Sequence, residues 1–221
     1  MSLFRSQGPK TRRLEAYLRR RARVLEARRP VLDCKSWPGL TRKRAIVFTD
    51  TADFTERTLR DGILHFLMGF GRVVRVLRPV VRRRRGRLEK VEGDSMLLSF
   101  PDARAACAGV LALDKALRAW NARRPEDERY RFSYGIGFGD LIEVEGDLFG
   151  LEVNLASKLG EDLAEPGEAL LSPAAAAALD RFTKRRVVPY RTIVFKKMAI
   201  EVRRLRLPGH RVHQRLRTTT P

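Results

Sequence analysis

An apolar run that ends abruptly in carboxylates is the feature of this sequence that most restricts its fold. Residues 45–58 read AIVFTDTADFTERT, in which β-branched and aromatic residues give way to Asp50 and then Asp53. The run predicts a buried strand, and the polar stretch after it predicts the start of a helix. A carboxylate at this junction has two interpretations, an N-cap of the helix or a ligand of a hard divalent cation.

Further strands are indicated on both sides of the middle of the chain. Residues 87–100 read RLEKVEGDSMLLSF and predict a β-hairpin with its turn at EGD. Residues 130–146 predict a pair of strands around a glycine-rich middle, and residues 168–171 a short strand. Residues 185–207 predict two more strands near the C-terminus.

The segments between these strands have the spacing of helices. Residues 55–83 predict one long helix, or two broken near Gly69 and Gly71, with Pro79 close to the end. The Ala- and Leu-rich residues 101–124 predict a second helix, and the helix that follows Gly150 is expected to stop at Pro166-Gly167. Ser172 is a candidate cap for a small helix. The order β-α-β-β-α-β, continued by α-β-α-β, indicates an α+β domain with its helices on one face of a partly antiparallel sheet.

The positive charge of the chain is concentrated at its two ends. The formal net charge is +20, of which residues 1–44 carry 14 Lys/Arg against 3 acids and residues 181–221 carry 13 against 1. The middle is slightly acidic, so nucleic acid or an anionic membrane surface is a candidate partner for the flanks alone. We expect a basic N-terminal helix over residues 11–29 within a helix-and-linker segment 1–43, a domain over 44–208 and a basic polar tail over 209–221.

Composition also bears on the compartment. No stretch approaches eighteen uninterrupted apolar residues, and the N-terminus lacks the apolar core of a secretory signal. Cys34 and Cys107 are far apart and lack metal-ligand spacing. These features favour a reducing, cytoplasmic location, with the arginine-rich start leaving peripheral membrane contact open.

Two pairs of residues are candidates for chemistry. Asp50 ends the first strand and Asp94 lies in the hairpin turn, and a βαββ unit places that strand beside the hairpin. Two carboxylates at matching strand ends can hold two divalent cations for an in-line phosphoryl displacement. Asn154 and Lys158 stand four residues apart and share one helical face, which fits either a phosphate clamp or an ordinary solvated face.

Four blocks in order give the sequence a family resemblance. FTDTADFT, KVEGDSMLLSF, YGIGFG and GDLFGLEVNLASKL follow one another as the signature blocks do in class III nucleotidyl cyclases. The resemblance covers roughly residues 44 to 205. It implies a ferredoxin-like βαββαβ cyclase catalytic domain, here with an N-terminal basic helix. It also implies a head-to-tail homodimer of the bacterial type, whose active sites each take metal ligands from one subunit and base and phosphate contacts from the other.

The resemblance implies the metal and triphosphate contacts. Asp50 and Asp94 match the metal aspartates, with Thr51 beside the first, and two Mg²⁺ or Mn²⁺ ions are expected per active site. The backbone amides from Thr51 to Thr55, including Phe54, match those that face the triphosphate at a helix N-terminus.

The resemblance also implies a purine site. Lys90 and Asp147 match the pair that reads adenine, because a lysine donates to N1 and an aspartate accepts from the 6-amino group. Guanylyl members of the family typically carry a glutamate and a smaller residue instead, so the pair indicates ATP. Asn154 matches the residue that orients the ribose or reacting centre, and Lys158 stands where an arginine usually stabilises the transition state.

The implied activity is that of an adenylyl cyclase, which converts ATP into 3′,5′-cyclic AMP and pyrophosphate. Two positions depart from the family pattern, since Asp53 replaces a glycine and Lys158 an arginine. They leave a catalytically weak or inactive module that binds nucleotide and regulates a partner as an alternative. A basic protein that binds nucleic acid or a membrane surface is a third interpretation. No sequence feature names a regulator.

Overall fold

The computed structural model describes residues 8–28, 32–33, 39–195 and 197–210. The strands are β1 (Thr41–Thr51), β2 (Arg87–Glu92), β3 (Ser95–Phe100), β4 (Phe132–Val144), β5 (Asp147–Phe149), β6 (Ala169–Leu171), β7 (Val187–Phe195) and β8 (Met198–Leu205). The helices are α1 (Pro9–Ala22), α2 (Phe54–Asp61), α3 (Ile63–Arg83), α4 (Ala103–Asn121), α5 (Leu151–Ser157), α6 (Pro173–Ala177) and α7 (Arg181–Lys184). A π-helical segment follows α5 at Lys158–Leu163, and 3-10 turns lie at Glu26–Arg28 and Glu126–Glu128.

The described residues form one sheet in the order β2-β3-β1-β4-β6-β8-β7, with β5 paired to β4. The β4–β6 pairing is parallel, whereas β1 runs antiparallel to both β3 and β4. The predicted α+β class and the βαββαβ order are therefore confirmed, with two helices in place of one after β1. The hairpin, the helix after it and the C-terminal strand pair are also where the sequence predicts them.

Both faces of the sheet are covered, so the prediction of helices on one face was wrong. Ala45 and Val47 of β1 pack in the main core with α3, α4 and α6. Ile46 points to the opposite face and packs in a second cluster with Ala156 of α5. The apolar run of β1 is continuous because its side chains are buried on both faces. Of the described residues, no helix is both long and apolar enough to cross a membrane.

The helical break after β1 lies at Gly62, so both alternatives, one long helix and a break near Gly69 and Gly71, were wrong. Gly62 has φ 83° and ψ 151°, a conformation that is costly for any residue with a Cβ. Helix α3 then runs through both glycines and through Pro79, which is four residues before its end. Gly69 serves a close contact instead, because a Cβ there would lie 2.3 Å from the Tyr130 hydroxyl oxygen.

The glycine-rich middle of residues 130–146 forms part of one long strand, β4, and the prediction of two strands was wrong. Its glycines admit the backbone of α5 and the π-helical segment against the sheet. A Cβ on Gly135 would lie 1.9 Å from the carbonyl oxygen of Ala156 and 2.5 Å from the amide nitrogen of Gly160. A Cβ on Gly137 would lie 2.3 Å from the carbonyl oxygen of Glu152. These glycines let the helix backbone approach the strand closely, a role that glycine often has within strands.

Substituting Gly135 by alanine should destabilise the fold severely. The new methyl group would meet backbone atoms, which cannot rotate away, and we expect a loss of about 3 kcal/mol or more in the free energy of unfolding. Gly71→Ala is the matched control, because a Cβ there meets nothing within 4 Å and the residue lies inside helix α3. Urea unfolding should show the control stabilised by about 0.5–1 kcal/mol. A Gly135→Ala protein as stable to urea as the wild type would contradict the close approach of the helix backbone to β4.

Helix α1 is shorter than predicted and is attached to the domain. It ends at Ala22 rather than near residue 29, and Leu25 is exposed. The carboxylate of Glu145, in the turn between β4 and β5, accepts hydrogen bonds from the amides of Lys10 and Thr11 at 2.9 and 3.0 Å. Desolvation alone would raise its pKa, but these hydrogen bonds lower the pKa of Glu145 to about 2. Leu14 is buried beneath the helix.

The segment boundaries remain predictions. Strand β1 begins at Thr41, inside the predicted linker. Most of that linker, with Cys34, and the tail from residue 211 lie outside the described residues. Cys107, on α4, is a free thiol fully buried in the main core, and burial raises its pKa to about 12.

Candidate active site

The two aspartates at the strand ends are held close together by the first strand and the hairpin. Asp50 is the second-to-last residue of β1 and lies on the α5 face of the sheet, because its side chain alternates with those of the main core. The Thr51 hydroxyl donates to the carbonyl oxygen of Asp94 at 2.6 Å, and the Ser95 hydroxyl donates to the Asp50 carboxylate at 3.3 Å. The hairpin turn is thereby fixed against the end of β1.

The electrostatics of this pair favour a bound cation. Burial, followed by the charges of Asp94 and Glu161, raises the pKa of Asp50 to about 6. Burial and the charge of Glu161 also raise the pKa of Asp94. Carboxylates that repel one another in a partly desolvated site are stabilised by a divalent cation, so Asp50 and Asp94 fit metal ligands. No group of three or more His, Cys, Asp or Glu side chains suited to a metal occurs in the described part of the chain.

The N-cap interpretation does not hold for Asp50. Helix α2 begins at Phe54, and the residue at its N-cap is Asp53, whose side chain makes no capping hydrogen bond. Asp53 has φ 64° and ψ 21°, the left-handed conformation that glycine adopts without strain. Its carboxylate instead pairs with the Arg131 guanidinium at 2.5 Å. The backbone thus keeps the conformation that the family's glycine would allow. The added negative charge of Asp53 is paired with Arg131, the residue just before β4.

Phe54 and Thr55 lie in the first turn of α2, as the resemblance implies. The Phe54 ring packs edge-to-face on Phe66, with ring centroids 4.8 Å apart. Its side chain is therefore committed to the core, and only its backbone is available at the helix N-terminus. Thr55 is exposed. Helix α2 is short, but its free amides follow directly on the Asp50–Asp94 pair.

A cavity of about 180 Å³ gathers the residues predicted to read the base and ribose. Lys90 comes from β2, Asp147 from β5 and Asn154 from α5, and Phe48 and Leu97 form the apolar part of the lining. The Lys90 ammonium lies 2.8 Å from Glu92 and 3.7 Å from Asp147. The hydrogen bond to Glu92, with the charge of Asp147 in addition, raises the pKa of Lys90, so it remains a donor. Ser95 also lines the cavity, and its hydroxyl donates a hydrogen bond to Asp50. The cavity and the Asp50 carboxylate therefore lie on the same face of the sheet.

Lys158 is not brought into this cavity. It ends α5 and begins the π-helical segment, and its ammonium pairs with Asp162 at 2.5 Å, one turn along the chain. The predicted sharing of a face with Asn154 therefore does not bring the two side chains to one cavity in the single protomer.

The sequence reading missed Glu161, whose charge reaches both aspartates. It accepts a hydrogen bond from Ser157, which lines the cavity. Because Glu161 lies in the π-helical segment, an α-helical repeat assigns its direction wrongly. The one feature of the sequence that could have indicated Glu161 is its position seven residues, about two α-helical turns, after Asn154. Glu92, the second partner of Lys90, was also missed, although its place two residues from Lys90 on one strand indicated a shared face.

Two curated adenylate cyclases are similar to this chain in sequence. The chain is 34% identical over 131 residues to "Putative adenylate cyclase 3" of Rhizobium meliloti, covering 59% of this chain and 22% of that protein. It is 30% identical over 154 residues to an adenylate cyclase of Streptomyces coelicolor, covering 68% of this chain and 38% of that protein. The chain thus spans well under half the length of these curated relatives. No protein-family model matches it.

Among solved structures, the fold resembles an adenylate/guanylate cyclase/hydrolase from Silicibacter pomeroyi. The TM-score is 0.63 with 26% identity, over 76% of this chain and 98% of that one. The alignment therefore takes in nearly the whole of the solved domain. With the ordered motifs, the sheet order and the paired aspartates, these similarities show that the chain belongs to the class III nucleotidyl cyclase family.

Proposed function

We propose that the chain is an adenylyl cyclase that converts ATP into 3′,5′-cyclic AMP and pyrophosphate. The observation that carries the proposal is the grouping of Lys90, Asp147 and Asn154 in one cavity, on the sheet face that also carries Asp50 and Asp94. The names of the curated relatives support the same activity.

The choice of ATP rests on the two charged groups of the cavity. A protonated Lys90 donates a hydrogen bond to adenine N1, and the Asp147 carboxylate accepts one from the 6-amino group. Guanine presents a donor at N1 and an acceptor at O6, so the same pair would face it with like partners. A site whose polar groups are left unpaired rejects the wrong base strongly.

The reaction requires the ribose 3′-oxygen to attack the α-phosphorus while pyrophosphate leaves. Asp50 and Asp94 would hold the cations, and the amides of the α2 N-terminus would bind the triphosphate. Bound divalent cations neutralise the triphosphate and acidify the 3′-hydroxyl. Asn154 would orient the ribose, and Lys158, released from Asp162, would contribute positive charge near the phosphates.

We place each active site between two copies of the chain. In that arrangement Asp50, Thr51 and Asp94 of one protomer face Lys90, Asp147, Asn154 and Lys158 of the other, as the family resemblance implies. Two equivalent sites then arise from one two-fold axis.

The direct test is cyclic nucleotide production by the purified chain, with ATP and GTP in parallel and Mn²⁺ or Mg²⁺ present. Cyclic AMP from ATP alone is the expected product. A folded dimer that binds ATP without turnover would instead support the regulatory module, for which the engagement of Lys158 by Asp162 is the motivating observation.

Asp53→Gly should preserve or raise the activity. The substitution relieves a left-handed conformation and removes a negative charge beside the triphosphate, at the expense of an exposed ion pair with Arg131. These stability effects are each about 0–1 kcal/mol and of opposite sign, so unfolding should change little. Asp53→Asn is the control that removes the charge but keeps a residue tolerant of this conformation. A tenfold fall in kcat in both variants would show that the carboxylate takes part in the site.

A further inference from the structure

A basic groove lies where the C-terminal end of α3, the N-terminal end of α4 and helix α7 meet. Its volume is about 570 Å³. Five arginines line it, together with two aspartates and the exposed ring of Phe182: Arg83, Arg84, Arg85, Arg104 and Arg186, with Asp102 and Asp180. The groove draws its positive charge from three separate segments of the chain.

The two aspartates are engaged in capping the helices beside them. Asp102 accepts a hydrogen bond from the Ala105 amide and Asp180 from the Thr183 amide, each at 2.7 Å. Asp180 also lies 4.0 Å from Arg104, at the limit of an ion pair. The lining carries five arginines against two aspartates, so its net charge is positive, and its carboxylates are oriented toward backbone amides.

The other four arginines of the lining have no ion-pair partner among the described residues. Arg83, Arg84, Arg85 and Arg186 make no ion pair with any acidic residue in the described ranges. The residues outside those ranges contain no Asp or Glu, as the sequence shows. Within the described residues, the groove therefore keeps four guanidinium groups without an ion-pair partner, and these are available to an anion from outside.

The backbone conformation of Arg85 also supports a role in binding. Gly86 N donates to Val81 O and Arg85 N to Arg82 O, which is the pattern of a Schellman helix end. The left-handed position of that motif favours glycine, but here it is Arg85, with φ 62°. The chain thus carries an arginine where a glycine would be about 1 kcal/mol less strained. A residue that costs stability and makes no internal ion pair indicates a role in binding.

The groove is distinct from the candidate active site. Helices α3 and α4 cover the face of the sheet that carries Ala45 and Val47. The cavity of Lys90, Asp147 and Asn154 lies on the opposite face, beside α5. The two sites share no lining residue.

We propose that this groove is a binding site for a compact polyphosphate anion, such as a nucleoside polyphosphate or inorganic triphosphate. Arginine forks bind phosphate oxygens in pairs, and three segments that converge can contact several phosphate groups at once. The concave shape disfavours a flat membrane surface, and a groove with one exposed aromatic ring offers no series of stacking positions for a single strand. The Phe182 ring, over which Arg181 stacks, is placed to contact a base or sugar.

The test is calorimetric binding of inorganic triphosphate to the full chain in EDTA at low salt. Without divalent cations the candidate active site lacks the ions that would hold a triphosphate. Arg84→Ala with Arg186→Ala removes two charges from the groove. Arg75→Ala with Arg78→Ala is the matched control, because both residues are exposed on α3 away from the groove and the net charge changes equally.

We expect the wild-type and control proteins to bind with similar affinity and the groove variant at least about tenfold more weakly. Binding should also weaken as salt is raised, since the guanidinium groups are exposed. Equal loss in both variants would attribute binding to overall charge and overturn the proposal, as would undiminished binding by the groove variant. Retention on phosphatidylglycerol vesicles or a single-stranded oligonucleotide, without binding of triphosphate, would also overturn it.

Discussion

Asp50→Asn is expected to reduce cyclic AMP production by a factor on the order of a thousand, because a neutral amide cannot replace the carboxylate that we propose holds a cation against the triphosphate. The rate should be measured at saturating ATP and Mn²⁺, so that weaker substrate binding is not mistaken for a slower step. Asp127→Asn, an exposed aspartate in the 3-10 turn before β4, is the charge-matched control and should leave the rate unchanged.

The same Asp50→Asn substitution should stabilise the cation-free protein at pH 8. Burial, with the charges of Asp94 and Glu161, raises the pKa of Asp50 to about 6, whereas an unfolded chain has a value near 3.9. Ionisation therefore opposes folding, and its cost is absent below about pH 4 and complete above about pH 6. We expect the variant to gain about 1–2 kcal/mol in urea unfolding at pH 8 in EDTA, and little at pH 4. A variant less stable at pH 8 would show that the carboxylate serves the fold.

Lys90→Glu is expected to lower kcat/KM for ATP by about a hundredfold or more, because a donor to adenine N1 becomes an acceptor that faces another acceptor. Combined with Asp147→Ser, it should shift the ratio of kcat/KM values toward GTP. Both nucleotides should be measured with each variant under the same cation.

Glu92→Gln is the control for this substitution. It removes the closer ion-pair partner of Lys90 but leaves the lysine and Asp147 in place. We expect at most a few-fold change, since Glu92 is largely exposed. If Lys90→Glu used ATP as well as the wild type, the cavity would not be the purine site.

The order of elements could be read from the sequence because each strand and helix carries its own local signal. The β-branched run of β1, the EGD turn of the hairpin and the Ala- and Leu-rich α4 agree with the structure. The wrong predictions of the helix break and of the paired strands arose because glycine can serve several structural roles. Gly62 breaks a helix, Gly69 admits the Tyr130 hydroxyl and Gly135 admits a helix backbone, and only the packed structure separates these cases.

The candidate site divides in a similar way. The approach of Asp50 to Asp94 follows from βαββ topology, and the resemblance indicated Lys90, Asp147 and Asn154, which the structure gathers in one cavity. Glu161 could not be predicted, because a π-helical turn shifts its direction relative to an α-helical repeat. The sequence shows Asp53 in place of the family's glycine, but its partner Arg131 is distant in sequence and appears only in the fold.

The buried thiol of Cys107 is a built-in probe of how often the core of the native protein opens. With a pKa of about 12, roughly one such thiol in ten thousand is ionised at pH 8, and its side chain is fully buried in the main core. Alkylation of this cysteine therefore requires the core around α4 to open, and the rate at which the Cys107 peptide gains a label measures how often it does so. A nucleotide or a polyphosphate that binds the closed domain would slow that labelling in proportion to its occupancy, so one reagent can follow ligand binding without any assay of turnover.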